Sequence, residues 1–179
     1  MAFSVNSGSI GVDLNNTSTT QLFSLGSMVR GSDGSIWQYV CASSTCTAYS
    51  VVIVNSSGTC KTAVLGDTNA GQGPQLAVVQ NTFAASEYGW VPIHGGAGLA
   101  GFRVNVSASV TLGVTLYLAT SSGHLSSTAA ASATVNGIVL SSASAVAGIT
   151  NYPCILTWPK FNTLGTCYDF PNQQFYHRG

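Results

Sequence analysis

The stretch Val29-Arg30-Gly31-Ser32-Asp33-Gly34-Ser35-Ile36-Trp37-Gln38-Tyr39-Val40 decides how the chain is read. Gly31-Ser32-Asp33-Gly34 supplies residues that accept left-handed backbone, as a tight turn between two strands requires. Val29 and Ile36 then begin the facing strands of a hairpin. Successive side chains of a strand point to opposite sides, so Ile36, Gln38 and Val40 share one face and Trp37 and Tyr39 the other. The aliphatic pair is expected inward. The two aromatics are expected at a second surface, which makes them candidate interface residues.

Working outward, β-branched residues recur in short runs punctuated by Gly, Ser and Asn, while apolar spacings of three and four are scarce. Strands are expected near Gln21–Arg30, Ser35–Ala42, Tyr49–Val54, Thr59–Leu65, Gln75–Gln80, Gly89–His94, Gly101–Val106, Thr115–Ala119, Gly137–Ser141 and Tyr152–Trp158. The fold class that follows is all-β, an antiparallel sandwich or small barrel of about ten strands. Asn55-Ser56-Ser57-Gly58 closes a further hairpin, and Ser121–Thr134 reads as a loop or one short helix. Glu87-Tyr88-Gly89 reads as a turn into the strand Trp90–Ile93, and Gly95–Gly98 as the turn out. Pro92 lacks an amide donor, so that strand is expected at a sheet edge or with a bulge. An edge is where a second subunit can join.

The two ends differ from this core of residues 21–160. Residues 1–20 are rich in Ser, Asn, Gly and Thr without a clear period and read as an extended arm. Residues 161–179 follow Pro159, which is expected to stop a strand. They carry Phe161, Tyr168, Phe170, Phe175 and Tyr176, too aromatic for a solvated tail. This C-terminal extension is expected to fold back over the domain or dock on a neighbour.

Charged residues make up only 6% of the 179, against roughly a quarter in ordinary soluble domains. Five acids balance five bases, and none cluster. Nucleic-acid binding and polybasic membrane contact both draw on grouped Lys and Arg, so neither partner is expected. Zero net charge weakens the repulsion that keeps monomers apart, which favours a component packed against copies of itself or a partner. The apolar run Val51–Val54 is far too short to span a bilayer. The N-terminal stretch lacks the basic start and apolar run of a secretory signal. Cys41, Cys46, Cys60, Cys154 and Cys167 show no CxxC spacing and are expected as free buried thiols. A Cys41–Cys46 pair across a tight hairpin is the lesser alternative.

Chemistry-bearing motifs are sparse. His94, His124 and His177 are the only near-neutral acid–base groups. His94 is expected at a strand end, bonded to backbone or water, with Cys154 as a conceivable spatial neighbour. The Cys and His spacings match no zinc site. Asp33 and Asp67 sit in Gly-containing turns, where Asp serves the backbone. Glu87 is the best single catalytic candidate, yet it has no evident partner. Neither Gly71-Gln72-Gly73-Pro74 nor Gly95–Gly98 makes a phosphate cradle. No catalytic residue, cofactor or metal is expected. Trp37, Tyr88 and Trp90, if exposed in one plane, would form a carbohydrate-stacking platform.

The order of motifs adds to this reading. Leu25–Val40 opens the core, Thr47–Ile53 follows, then Glu87-Tyr88-Gly89-Trp90-Val91-Pro92-Ile93-His94-Gly95, and finally Cys154-Ile155-Leu156-Thr157-Trp158-Pro159. This succession resembles the small β-rich virion proteins of tailed bacteriophages, the capsid cement or decoration class. The resemblance runs from about Leu22 to Pro159 and covers neither end. It implies a non-catalytic homo-oligomer, trimer favoured over dimer, on the outside of the head against the major capsid protein. Candidate interface residues on this reading are Trp37, Tyr39, Tyr88, Trp90, Phe161, Tyr168, Phe170, Phe175 and Tyr176. The rival readings are another virion part such as a head-fibre base or tail protein, a carbohydrate-binding β-sandwich module, and a hydrolase using Glu87 with His94 or a second carboxylate.

Overall fold

Eleven strands follow one another in this computed structural model, which describes residues 12–69, 75–96, 101–107, 110–129, 133–142 and 149–163. They are β1 (Met28–Arg30), β2 (Ile36–Ala42), β3 (Val51–Val54), β4 (Thr59–Thr62), β5 (Gln75–Val78), β6 (Tyr88–Gly95), β7 (Phe102–Ser107), β8 (Leu116–Leu118), β9 (Leu125–Ser126), β10 (Ala133–Leu140) and β11 (Ile149–Thr163). A 3-10 turn at Leu65–Asn69 follows β4. The fold is all-β and sandwich-like. Pairing is largely antiparallel, with short parallel contacts between β2 and β4 and between β7 and β9.

The opening hairpin forms as its turn dictates. Met28, Val29 and Arg30 pair with Gln38, Trp37 and Ile36, and Gly34 takes φ 81°. Asp33 Oδ1 accepts from the Ser35 amide at 3.0 Å and from Ser35 Oγ at 2.5 Å, while Ser35 Oγ accepts from Trp37 Nε1 at 2.8 Å. A polar chain thus runs from the turn to a fully buried indole. Strand pairing starts only at Met28, although extended structure is expected from Gln21. The Asn55–Gly58 hairpin also forms, joining β3 to β4.

The aliphatic face of β2 lies inward as expected, but the aromatic face, expected at a second surface, is core as well. Trp37 and Tyr39 are buried in the larger core, together with Val51, Ile53, Leu76, Val78, Trp90 and side chains from β7, β8, β10 and β11. Val40 and Ala42 face a smaller core with Val52, Val54, Ala77, Val91 and Ile93, capped by Phe83. So β2, β3, β5 and β6 are covered on both sides. Large rings remove the most apolar area from water, and they fill the thicker gap between the two layers. Small aliphatic side chains fit the thin space under Phe83.

Three further expectations change. The segment 12–20, expected as an extended arm, lies against the domain, with Leu14 buried in the larger core and Ser18 bridging to Tyr88. Residues 1–11 lie outside the described part. The stretch after Ser121 contains β9, and β10 begins at Ala133, before the expected Gly137. Pro92 carries its bulge: Ile36 pairs with His94 and Trp37 with Pro92, leaving Ile93 as the extra residue. Yet β6 is no edge, because it pairs with both β2 and β11.

Pro159 does not stop β11, which continues to Thr163 and pairs Lys160 with Gln75 and Phe161 with Val135. Phe161 is therefore core, and the domain passes the boundary expected at 160. Between Asn136↔Lys160 and Ile138↔Leu156, three residues of β11 oppose the single Gly137 of β10. The bulge switches which residues point inward. Tyr152, Cys154 and Leu156 are buried before it, and Pro159 and Phe161 after it. Gly137 takes φ 79°, and a Cβ there would lie 2.6 Å from the Thr157 carbonyl oxygen and 2.9 Å from Pro159 Cα. Both obstacles are backbone and cannot rotate away. The substitution Gly137→Ala is expected to lower unfolding free energy by about 1–3 kcal/mol, read as a shift in urea midpoint.

Candidate functional site

Carboxylates come first, because a hydrolase would need two of them free. Asp13 Oδ1 accepts from the Asn15 amide at 2.9 Å, and Asp33 holds its turn through Ser35. Asp67 Oδ2 accepts from the Val64 amide at 2.9 Å, while its Oδ1 pairs with Lys61 Nζ at 2.6 Å. Glu87 Oε2 accepts from the Ala84 amide at 2.7 Å, fixing the turn in which Ser86 takes φ 67°. Each of these four acids is bound to a backbone amide within three residues of itself. Glu87 and His94 lie at opposite ends of β6, roughly 20 Å apart by strand rise. Among the described residues no three His, Cys, Asp or Glu side chains come together as a metal would require.

Cys154 and His94, conceivable neighbours by sequence, do not pair with each other. Cys154 pairs with Phe102 and Leu140, whereas His94 pairs with Thr157 three residues further along β11. Burial pushes the Cys154 thiol up to about 12, which keeps it protonated and inert. Cys41, Cys46, Cys60 and Cys154 are free thiols. Cys41 is on the sheet face opposite Ala42 and Cys60, and the contact of Cys46 is with Cys60 rather than Cys41.

The aromatic residues expected at an interface have separate fates. Trp37, Tyr39, Trp90 and Phe161 are buried, and Tyr88 is half-buried. Tyr168, Phe170, Phe175 and Tyr176 lie outside the described residues. With Trp37 and Trp90 inside, these rings make no flat platform for a sugar. Instead Tyr39 sits 5.0 Å from Trp90 and 6.3 Å from Tyr88, centroid to centroid, and Phe23 covers the group at 5.3 Å from Tyr39 and 5.2 Å from Trp90. Around them lies an apolar groove of about 340 Å³, bordered by Leu22, Phe23 and the 12–18 segment. The Leu22 amide donates to Tyr39 Oη at 3.0 Å, which fastens the covering loop to the cluster.

Trp158 is the residue that sequence reasoning missed. It stands at the centre of the β11 bulge with φ 54°, 47% exposed, its ring 6.0 Å from that of His94. Left-handed backbone is costly for a bulky side chain, by about 1–3 kcal/mol, and persists only where surrounding pairing enforces it. Here the three-for-one bulge against Gly137 enforces it. Val139, opposite Ile155, is 51% exposed, and Leu112 and Val114 are 49% and 40% exposed. Apolar surface is thus displayed where charge is rare. No signal in the sequence marks it, because Trp158 keeps the two-residue phase of Tyr152, Cys154 and Leu156 and would be read as facing the core with them.

His124 is half-buried, with Nδ1 turned from solvent and lacking a protein hydrogen-bond partner. Burial lowers its pKa below the ordinary value. The unfolded chain therefore takes up a proton near pH 6.5 that the folded chain resists. The His124 contribution to stability is intact above that pH and is lost as pH falls from the unfolded value toward the lower folded one. On acidification from about pH 7.5 to 5.5 the urea midpoint should fall, and His124→Gln should flatten the fall.

No helix among the described residues is long and apolar enough to cross a membrane. No family model matches the sequence, and no curated protein or solved structure is similar enough to it to indicate a function.

Proposed function

We propose that this chain is a structural virion protein of the cement or decoration kind. It sits on the outside of a tailed-phage head, binds the major capsid protein, and stabilises the lattice as a homo-oligomer, a trimer ahead of a dimer. The observation that carries the reading is Trp158, held outward on a strained bulge. A tryptophan seated in a partner's pocket is among the commonest carriers of protein–protein affinity. The rarity of charge supports the same reading, because apolar contacts are less sensitive to salt than ion pairs. So does the use of four carboxylates to hold turns.

The physical mechanism is mass action. A protein that binds the assembled lattice but not its separated parts stabilises the lattice. Repeated contacts by an oligomer multiply modest single affinities. A head-fibre base or tail component would use the same kind of surface, and imaging of particles separates these by position.

The test adds purified protein to stripped heads and measures both binding and the temperature at which heads rupture. Wild-type protein should bind and raise that temperature. Trp158→Ala should weaken attachment about tenfold or more while leaving the melting temperature of the isolated protein nearly unchanged. Failure of the wild type to bind any head, or equal binding by the variant, overturns the proposal.

A further inference from the structure

Two cysteines that neither the fold nor the contact surface explains lie against each other. β2 and β4 run parallel with Ala42 beside Cys60. The chain leaving β2 stays alongside β4: the Ser43 amide donates to the Cys60 carbonyl at 2.8 Å, and Thr62 Oγ1 donates to the Thr45 carbonyl at 3.4 Å. Cys46 is then pinned by its bridge to Phe83. This course puts the Cys46 and Cys60 side chains into the same small core, with the Cys46 thiol donating to the Ser44 carbonyl at 3.3 Å. Both are fully buried in the small core under Phe83.

We propose that Cys46 and Cys60 are a dithiol redox site, closing to a disulfide when the folded protein meets an oxidising small-molecule disulfide such as oxidised glutathione. The Cys46 thiolate attacks one sulfur of oxidised glutathione and expels a glutathione thiolate, leaving a mixed disulfide at Cys46. Cys60 gives up its proton and attacks the Cys46 sulfur, and the second glutathione leaves. Two protein thiols are oxidised, and one glutathione disulfide is reduced to two glutathione thiols.

The polar environment suits this order of events. The neighbouring Cys60 draws the Cys46 pKa down, against an upward pull from burial, and the proximity of Thr62 lowers it further. The Cys60 thiol is pushed up by Cys46 and by burial. The nucleophile is thus Cys46, and Cys60 is the resolving thiol. An open groove lined by Thr45, Thr47, Lys61 and Thr62 runs beside the two segments, while both sulfurs lie buried beneath it. Local opening of the 43–47 segment exposes the pair without global unfolding. The closed ring would enclose β3, the Asn55–Gly58 turn and the start of β4. A chain folded with free thiols in a reducing compartment would acquire this staple only on moving to an oxidising one. The inference stands whatever partner the outer surface binds.

The experiment equilibrates folded full-length protein in reduced and oxidised glutathione buffers, then maps disulfides under non-reducing conditions. The expected product is a Cys46–Cys60 cross-linked peptide, with a loss of about 2 Da per chain and a melting temperature raised by about 5 °C or more. Cys41→Ser should leave the product intact, whereas Cys46→Ser and Cys60→Ser should each abolish it. Mapping of the wild type decides the matter even if those two variants fold poorly. Cross-links to Cys41, Cys154 or Cys167 instead would overturn the proposal. So would thiols that stay reduced, or carry only glutathione, in a buffer that oxidises the unfolded chain.

Discussion

Strand β11 hydrogen-bonds to β5, β6, β7 and β10, and both layers of the sandwich depend on that one run of backbone. It does so while carrying Pro153 and Pro159, neither of which can donate to a ladder. The strand keeps its partners by changing them along its length: β7 beside its first half, β6 near the bulge, β5 beyond it, with β10 following through most of it. A straight strand would keep the same parity of side chains throughout. The three-for-one bulge breaks that parity, so Leu156 and Phe161 both point inward although five positions separate them. Trp158 is what the bulge leaves outside. The exposure of this indole is therefore a consequence of how the core is closed.

Charge is used in the same economical way. Acids that would be costly to bury and weak as surface ion pairs are bound instead to amides of their own turns, where a charged acceptor makes a strong hydrogen bond. Asp33 goes further, since its hydroxyl partner Ser35 also receives the Trp37 indole. Little ionic surface remains, and Leu22, Met28, Val139 and Trp158 stand exposed on it. Such a molecule is suited to fitting against a neighbour. The thiol pair under Phe83 belongs to a separate part of the fold, the thin core on the far face of β3 and β5, where small side chains let two sulfurs meet.

Much of this was legible before any coordinates, for reasons that are local. Turn chemistry at Gly31–Gly34 and Asn55–Gly58 acts over four residues, and both hairpins formed where those residues stood. Pro92 announced a bulge because a missing donor is a property of one residue. The role of Glu87 in a turn was also local. Which face of β2 is the thicker core was not legible, since Ile36, Val40, Trp37 and Tyr39 are all apolar and periodicity labels two faces without ranking them. The Cys46–Cys60 contact was hidden likewise, because the 43–46 segment meets β4 through a parallel pairing that no spacing encodes.

The sequence by itself determined the all-β class, the positions of most strands, the principal turns and the near absence of charge, because propensity, left-handed glycines and composition act at the scale of a few residues. Only the tertiary structure decided that β6 is interior rather than an edge, that Trp37, Tyr39, Trp90 and Phe161 are core, and that Trp158 is displayed. Those outcomes depend on which strand lies beside which. Pairing partners far apart in the chain, such as β11 with β5 and β7, are selected by the summed burial of both layers and by no single segment.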